Sequence, residues 1–111
     1  MKLLEMQQLL KARCHTNIEL DHKEINSCCG ADLLSDVLAF TKANSLLLTG
    51  LIHPQVIRTA EMLDLVAIVF VRDKAPSSEM IALAEERQIP LFSTDKTMYE
   101  ACGLLYSNGL N

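Results

Sequence analysis

The chain has 111 residues, half of them hydrophobic, and a formal net charge of -4 at pH 7. This length suits a single domain, so we expect residues 1–111 to form one unit, and the acidic balance argues against a nucleic-acid polymer as partner. No apolar run approaches the ~20 residues of a membrane span and no secretion signal is apparent, so we expect a cytoplasmic protein without a membrane partner.

The N-terminal quarter predicts a helix followed by irregular segments. Apolar residues recur at helical spacing after Met1, which predicts an amphipathic helix over residues 2–13. Its apolar stripe exceeds what one short sheet needs, so this helix is a candidate element for self-association. Residues 18–20 and 25–28 are predicted to be short extended pieces on either side of a polar turn.

A regular alternation of elements begins after Gly30. Residues 31–43 predict a helix that ends at Asn44, a residue that tolerates the left-handed conformation. Residues 46–48 are wholly apolar, which favours a strand covered on both faces. The predicted buried stripe of the helix consists of Leu33, Leu34, Val37 and Leu38.

The second half of the chain continues the same alternation. Pro54 and Pro76 are each placed where a helix begins, and residues 66–71 form an uninterrupted, β-branched strand signal. Residues 89–92 predict a further strand, and Thr94 is expected to cap the last helix. Strands that alternate with helices over short connections indicate a parallel sheet. We therefore predict an α/β fold of three layers, with a central, mostly parallel sheet of four to five strands and helices on both faces.

Polar residues follow the predicted strands, and ligands of open parallel sheets bind outside the carboxyl ends of the strands. Helix N-termini at the same edge offer free N–H groups and partial positive charge, so a phosphate or carboxylate could bind there. The alternative is that these residues are ordinary caps and loop charges. The candidate ligand-binding residues are Thr49, Gly50, His53, Arg72, Asp73, Lys74, Thr94 and Asp95, with Ser93 beside them.

Two aspartates form a possible charge cluster. Asp32 and Asp36 lie four residues apart, on one face of the predicted helix, where like charges are unfavourable unless a cation is near. Arg58 is a candidate partner, as is a neighbouring subunit. The alternative is that Asp32 interacts with the helix dipole and that Asp36 is solvated. Nothing completes a catalytic site around the pair, so we predict no catalytic residue.

The sequence also gives no reason to expect a metal or a cofactor. The four cysteines are Cys14, Cys28, Cys29 and Cys102, and their spacing fits neither a secreted disulfide framework nor a zinc site. We interpret them as reduced thiols. There is no glycine-rich phosphate loop. Tyr99 and Tyr106 lie seven residues apart on the last helix, where we expect partial burial; the alternative is an exposed aromatic stripe.

Residues 31–39, ADLLSDVLA, resemble a segment of stand-alone DRTGG domains. Three further stretches support the resemblance at compatible spacing, so that it covers residues 25–110. They are residues 49–60, residues 67–76, and residues 89–94 running on to 99–106. The contiguous motif Asp-Arg-Thr-Gly-Gly, after which the family is named, does not occur in the chain.

The resemblance implies a three-layer α/β fold similar to the amino-terminal domain of HPr kinase. Relatives of this kind occur in phosphotransacetylases and beside CBS domains in regulated pyrophosphatases. There they act as accessory, dimer-forming or sensing parts while catalysis takes place elsewhere, so the resemblance also implies a homodimer.

Three hypotheses for function follow. The first is a non-catalytic regulatory module that binds a phosphorylated small molecule or an adenine nucleotide at the carboxyl ends of the strands. The second is a ligand-free interaction subunit of a larger enzyme or kinase system. The third, which we favour least, is an uncharacterised enzyme that uses His53 or the pair of Asp32 and Asp36.

Overall fold

The computed structural model describes residues 1–111, which form five helices and a five-stranded sheet. The helices are α1 (Leu3–Leu10), α2 (Leu34–Phe40), α3 (Pro54–Met62), α4 (Ser78–Arg87) and α5 (Met98–Ser107). The strands are β1 (Arg13–Cys14), β2 (Ser27–Gly30), β3 (Ser45–Thr49), β4 (Ala67–Phe70) and β5 (Leu91–Ser93). None of the helices combines the length and the hydropathy that a membrane-spanning segment requires.

The sheet confirms the predicted fold class. Its strand order is β1-β5-β4-β3-β2, and β2 to β5 are parallel in register, with Leu47 opposite Ile68 at the centre. Only β1 runs antiparallel, with Arg13 opposite Ser93 on β5. Every residue of β3, β4 and β5 is buried, which explains why the central strands have continuous apolar sequences.

Two apolar clusters cover the two faces of the sheet, as a three-layer fold requires. Alternate residues of β3 and β4 point to opposite faces, because side chains alternate along a strand. Leu48 and Val69 pack with α1 and α5, whereas Leu47 and Phe70 pack with α2, α3 and α4. The apolar stripe of α1 is buried in the first cluster of its own chain, so its proposed part in self-association stays a prediction.

The placement of the helices has a consequence for the carboxyl edge of the sheet. The connection after β4 leads to α4 on one face, and the connection after β5 leads to α5 on the other face. Neighbouring loops that part in opposite directions leave a crevice between them, which is the topological switch point of α/β proteins. In this chain the switch point lies between β4 and β5.

The first predicted helix is shorter than its sequence pattern. The helix expected over residues 2–13 ends at Leu10, because Lys11 takes a left-handed backbone with φ 50°. Arg13 and Cys14 then pair with β5 as a strand that was not predicted. Residues 18–20, expected to be extended, belong to no strand.

The helix predicted over residues 31–43 is also too long. Ala31 still donates to the Leu48 carbonyl across the sheet, and the backbone is extended at Leu33 and again at Thr41, so α2 has only seven residues. Val37 alone of the predicted stripe is fully buried, while Leu33 is 61% exposed and Leu38 is 48% exposed.

The predicted starts of α3, α4 and α5 agree with the structure only in part. Pro54 occupies the first turn of α3 as predicted. By contrast, α4 is capped by Ser77, one residue after Pro76. The prediction that Thr94 caps α5 is wrong, since the cap is Thr97, which forms a reciprocal capping box with Glu100.

The expected partial burial of two aromatic side chains is also wrong: Tyr99 is 89% exposed and Tyr106 is 70% exposed.

Thr94 is instead a buried tie between α1 and β5. Its Oγ1 donates to the Leu10 carbonyl at 2.6 Å, and the hydroxyl also accepts from the Lys96 N–H at 3.3 Å. Thr94→Val keeps the shape but leaves a buried carbonyl without its partner, so we expect the free energy of unfolding, measured by urea denaturation, to fall by about 1–3 kcal/mol.

Thr41→Val is the matched control for that substitution. The Thr41 Oγ1 is buried without a partner, so its removal should leave stability unchanged or raise it. Equal losses for the two variants would show that the hydrogen bond of Thr94 contributes nothing.

Candidate ligand-binding site at the carboxyl ends of the strands

One aspartate links the ends of three parallel strands. Asp32 follows β2; its Oδ1 accepts from the Gly50 N–H at 2.7 Å and from the Thr49 Oγ1 at 3.5 Å, both at the end of β3. Its Oδ2 lies 3.3 Å from the Arg72 Nη2, which follows β4. We call this arrangement the Asp32 clasp. An anion, supplied by the chain itself, is thus bound at this edge of the sheet.

Two features of the backbone build the clasp. A Cβ atom at Gly50 would overlap the Arg72 guanidinium, so the lack of a side chain at this glycine lets Arg72 occupy its position against the chain and beside Asp32. Arg72 and Asp73 both have left-handed backbone, with φ 59° and 58°, which non-glycine residues adopt at a cost of about 1–2 kcal/mol each. Their N–H groups donate to the carbonyls of Lys96 and Thr94 at 2.8 Å, and these bonds hold the turn in place.

The clasp lowers the pKa of the Asp32 carboxyl. The Gly50 N–H is the largest cause, and the charges of Arg72 and Lys74 add to it against the effect of burial. A carboxyl group whose pKa is lowered by folding stabilises the folded state at pH values above its unfolded pKa of 3.8. This stabilisation is lost as the pH falls through the pKa of the folded state. Because the Asp32 side chain is 53% exposed, the contribution is at most about 1 kcal/mol.

A second set of hydrogen bonds joins β3, β4 and β5. The Lys74 Nζ donates to the Gly50 carbonyl at 2.9 Å, and the Ser93 Oγ donates to the Lys74 carbonyl at 2.6 Å. The His15 Nε2 lies 2.7 Å from the same Ser93 Oγ. Since the only hydroxyl proton of Ser93 goes to Lys74, Nε2 must donate. Burial, and then the charge of Arg13, lower the pKa of His15, which is consistent with a neutral ring protonated at Nε2.

The switch point itself holds a polar depression of about 310 Å³. An ion pair crosses it, with the Arg13 Nη2 3.6 Å from the Asp73 Oδ1, and both side chains are mostly exposed. We call this cavity the switch-point depression. Its cations can bind an anion, and its carboxylates can accept from ligand hydroxyl groups. Its lining consists of Lys11, Arg13, Asp73, Ser93 and Asp95.

The structure brings most of the predicted ligand residues to one edge, with two qualifications. His53 is the N-cap of α3, and its Nδ1 accepts from the Gln55 N–H at 3.0 Å. The Thr94 hydroxyl is buried and engaged, as described above. The remaining predicted residues lie in the clasp, in the switch-point depression or in the turn after β4.

The charge cluster is corrected by the structure. Asp32 precedes α2 rather than lying in its first turn, so Asp32 and Asp36 do not share a helical face. The partner of Asp32 is Arg72, 40 residues away in the chain, and Arg58 pairs with neither aspartate. Sequence spacing could not reveal this pair because it depends on how β2 and β4 align within the sheet.

Sequence reasoning missed three residues of the site, namely Lys11, Arg13 and His15. They lie in or just after the segment predicted to be helical, and none of them was predicted to bind an anion. Two paired residues are too few to show the period of a strand, so no pattern in the sequence identifies them.

No cysteine lines the Asp32 clasp or the switch-point depression. Cys28 packs against the cluster of α1 and α5, and Cys29 against the opposite cluster. Burial raises the pKa of Cys28 and of Cys102, so both thiols are protonated and weakly reactive. No three His, Cys, Asp or Glu side chains are grouped as metal ligands.

Comparison with known proteins supports the fold. Neither a protein-family model nor a curated protein matches the chain. A solved structure that is similar contains the CBS and DRTGG domains of the regulatory region of Clostridium perfringens pyrophosphatase, complexed with its activator, diadenosine tetraphosphate. The TM-score is 0.71 at 17% identity, over 94% of this chain and 45% of that one. This chain therefore spans less than half of its neighbour, and the likeness shows a DRTGG-like fold.

Proposed function

We propose that residues 1–111 form a DRTGG-type regulatory module that binds a phosphorylated small molecule, such as an adenine nucleotide, at the carboxyl edge of the sheet. The observation that carries the proposal is the Asp32 clasp, in which the Gly50 N–H and the Arg72 guanidinium bind a carboxylate. Groups that bind an internal anion are equipped to bind an external one in its place.

The distribution of charge supports an anionic ligand. Five of the ten Lys and Arg residues lie at this edge, against three aspartates, although the chain as a whole has a net charge of -4. Local positive potential attracts anions whatever the sign of the total charge. The five cations are Lys11, Arg13, Arg72, Lys74 and Lys96.

A regulatory role, and not a catalytic one, is supported by two further points. The similar structure belongs to a regulatory region that was crystallised with a nucleotide activator. In this chain, His53 and Asp32 are engaged by backbone N–H groups, His53 as a helix cap and Asp32 in the clasp. These side chains therefore have structural partners, and the third hypothesis from the sequence has no observation in its favour.

Titration calorimetry with inorganic phosphate, AMP, ATP and diadenosine tetraphosphate tests the proposal. We expect at least one of the phosphorylated compounds to bind. The double variant Arg13→Gln with Arg72→Gln should then weaken binding about tenfold or more, because it removes two cations that face the ligand.

The matched control is Arg58→Gln with Lys42→Gln, which changes the net charge equally at exposed positions outside the site. We expect it to alter affinity by less than about threefold. No heat with any of the four compounds at millimolar concentration, or equal losses in the two double variants, would contradict the proposal.

A ligand-free interaction subunit is the second candidate function. Large apolar side chains are unusually exposed on α2 and α5, including Phe40 at 76%. We infer that such a subunit, as a homodimer or beside a larger enzyme, would bury one of these helices. Sedimentation equilibrium of the wild type and of Phe40→Ser and Tyr106→Ser tests the homodimer; a monomer in all three would contradict it.

A further inference from the structure

A second depression adjoins the switch-point depression and differs from it in character. It has a volume of about 540 Å³ and lies between the end of α1 and the first turns of α5. Leu9 and Leu104 form apolar walls, and at Gly103 the helix backbone lines the groove without a side chain. We call it the α1/α5 groove. Lys11 lines both depressions, so they meet at this side chain.

The groove combines an aromatic ring with two cations. Tyr99 lines it with a side chain that is 89% exposed, so its ring is available for stacking. Lys96 lines the same wall and lies 3.9 Å from Asp95, its only ion partner, while Lys11 has no ion pair. The one acid in the groove, Glu100, accepts from the N–H and the hydroxyl of the helix cap and is thereby engaged.

The walls of the groove are fixed before any ligand arrives. The buried hydroxyl of Thr94 ties the last carbonyl of α1 to the segment that leads into α5. The N–H of Lys11 closes the end of α1 by donating to the Gln7 and Gln8 carbonyls. A preformed groove loses little conformational entropy on binding, and its volume lies within the usual range of ligand cavities.

We propose that the α1/α5 groove is a ring subsite, in which a planar aromatic or heteroaromatic ring of a phosphorylated ligand stacks on Tyr99 while the phosphate lies between Lys11 and Lys96. This inference rests on the proposed function, because Lys11 connects the groove to the switch-point depression. It adds the chemical class of the ligand: a phosphate joined to a flat ring, as in a nucleotide, and not a simple sugar phosphate.

Gly103 allows a test that does not weaken the fold. A Cβ atom built at this glycine meets no atom within 4 Å, so the position can accept a larger side chain. Gly103→Leu fills the groove, and replacing a glycine inside a helix should preserve or raise stability. Loss of binding in this variant can therefore be assigned to the groove and not to unfolding.

The experiment compares AMP with ribose 5-phosphate, which has the phosphate but no ring, by titration calorimetry. In the wild type we expect AMP to bind about fivefold more tightly or better, as stacking of one base on an aromatic side chain allows. Tyr99→Ala and Gly103→Leu should each abolish the difference. Tyr106→Ala, an exposed tyrosine two turns further along α5 that does not line the groove, should leave the difference intact.

Fluorescence supplies an independent readout. The chain has two tyrosines and no tryptophan, so in Tyr106→Phe all tyrosine emission comes from Tyr99. AMP should quench this emission with the affinity found by calorimetry, and ribose 5-phosphate should not.

The outcomes separate this inference from the proposed function. Equal affinity for AMP and ribose 5-phosphate in the wild type would overturn the ring subsite and leave phosphate binding intact. Binding of neither compound would overturn the ring subsite, and the proposed function would fall with it only if inorganic phosphate, ATP and diadenosine tetraphosphate also failed to bind. A solution dimer that buries Tyr99, seen by sedimentation and by loss of quenching, would likewise overturn the ring subsite, since the groove would then be closed.

Discussion

Phe70→Ala should lower the free energy of unfolding by about 3–5 kcal/mol, the cost of a large cavity in a well-packed core. Phe70 lies in β4, the central strand with the strongest sequence signal, and its side chain is fully buried in the cluster beneath α2, α3 and α4. Domains of this size have a total stability of about 5–15 kcal/mol, so the variant should unfold at markedly lower urea concentration. Urea denaturation followed by circular dichroism measures the loss.

Phe40→Ala is the matched control, because it deletes the same atoms from a side chain that is 76% exposed at the end of α2. We expect a change within about 0.5 kcal/mol. A loss of several kcal/mol at Phe40 would mean that α2 is covered in solution, which would favour the interaction-subunit function. A small loss at Phe70 would mean that β4 is not the centre of the core.

The same two phenylalanines show what the sequence could and could not predict about the fold. Phe70 stands in an uninterrupted apolar run, and such runs occur where both faces of a strand are covered, so its strand and its burial were predictable. Phe40 belongs to a helical pattern with more apolar positions than the core has room for. Amphipathic spacing indicates which residues could face a core, but the sheet decides how many do.

The strand β1 was not predictable for a different reason. Two residues, Arg13 and Cys14, carry no periodicity of their own, and they form a strand only because β5 offers them an antiparallel edge 78 residues further along the chain. The left-handed backbone of Lys11 that frees them from α1 was equally hidden.

The candidate site could likewise be predicted from the sequence only in part. The rule that ligands approach the carboxyl ends of parallel strands correctly gathered Thr49, Gly50, Arg72 and Lys74 at one edge. The partners of these residues depend on register between strands. The sequence placed Asp32 in a helix, whereas the sheet places it over the end of β3, where it becomes the internal anion of the site.

Asp32→Asn should raise the affinity for inorganic phosphate, or for ATP, whose additional phosphates extend beyond the ring subsite, about tenfold if a phosphate displaces the carboxylate. Removing one negative charge some 4 Å from a bound anion is worth about 1–4 kcal/mol at effective dielectric constants between those of water and a protein surface. The asparagine Oδ1 can still accept from the Gly50 N–H, so the turn should keep its shape while Arg72 is released. Titration calorimetry at constant salt measures the change.

Asp36→Asn is the control for overall charge. Asp36 is exposed on α2 and forms no ion pair, so its neutralisation changes the net charge equally without touching the clasp. We expect less than about a twofold effect at physiological ionic strength. Equal gains in Asp32→Asn and Asp36→Asn would mean that the ligand does not use the donors held by Asp32.

The effect of Asp32→Asn on affinity should not depend on pH near neutrality. Because the Gly50 N–H lowers the pKa of Asp32 below 3.8, the carboxylate stays charged throughout the range from about pH 5 to 8. The ratio of affinities between Asp32→Asn and the wild type should therefore be constant over that range, although both affinities change as the phosphate titrates. Weaker binding by Asp32→Asn would reverse the role of the residue: the carboxylate would then accept a hydrogen bond from the ligand, as it would from a ribose hydroxyl, and the anion would have to lie over Lys11 and Arg13 instead.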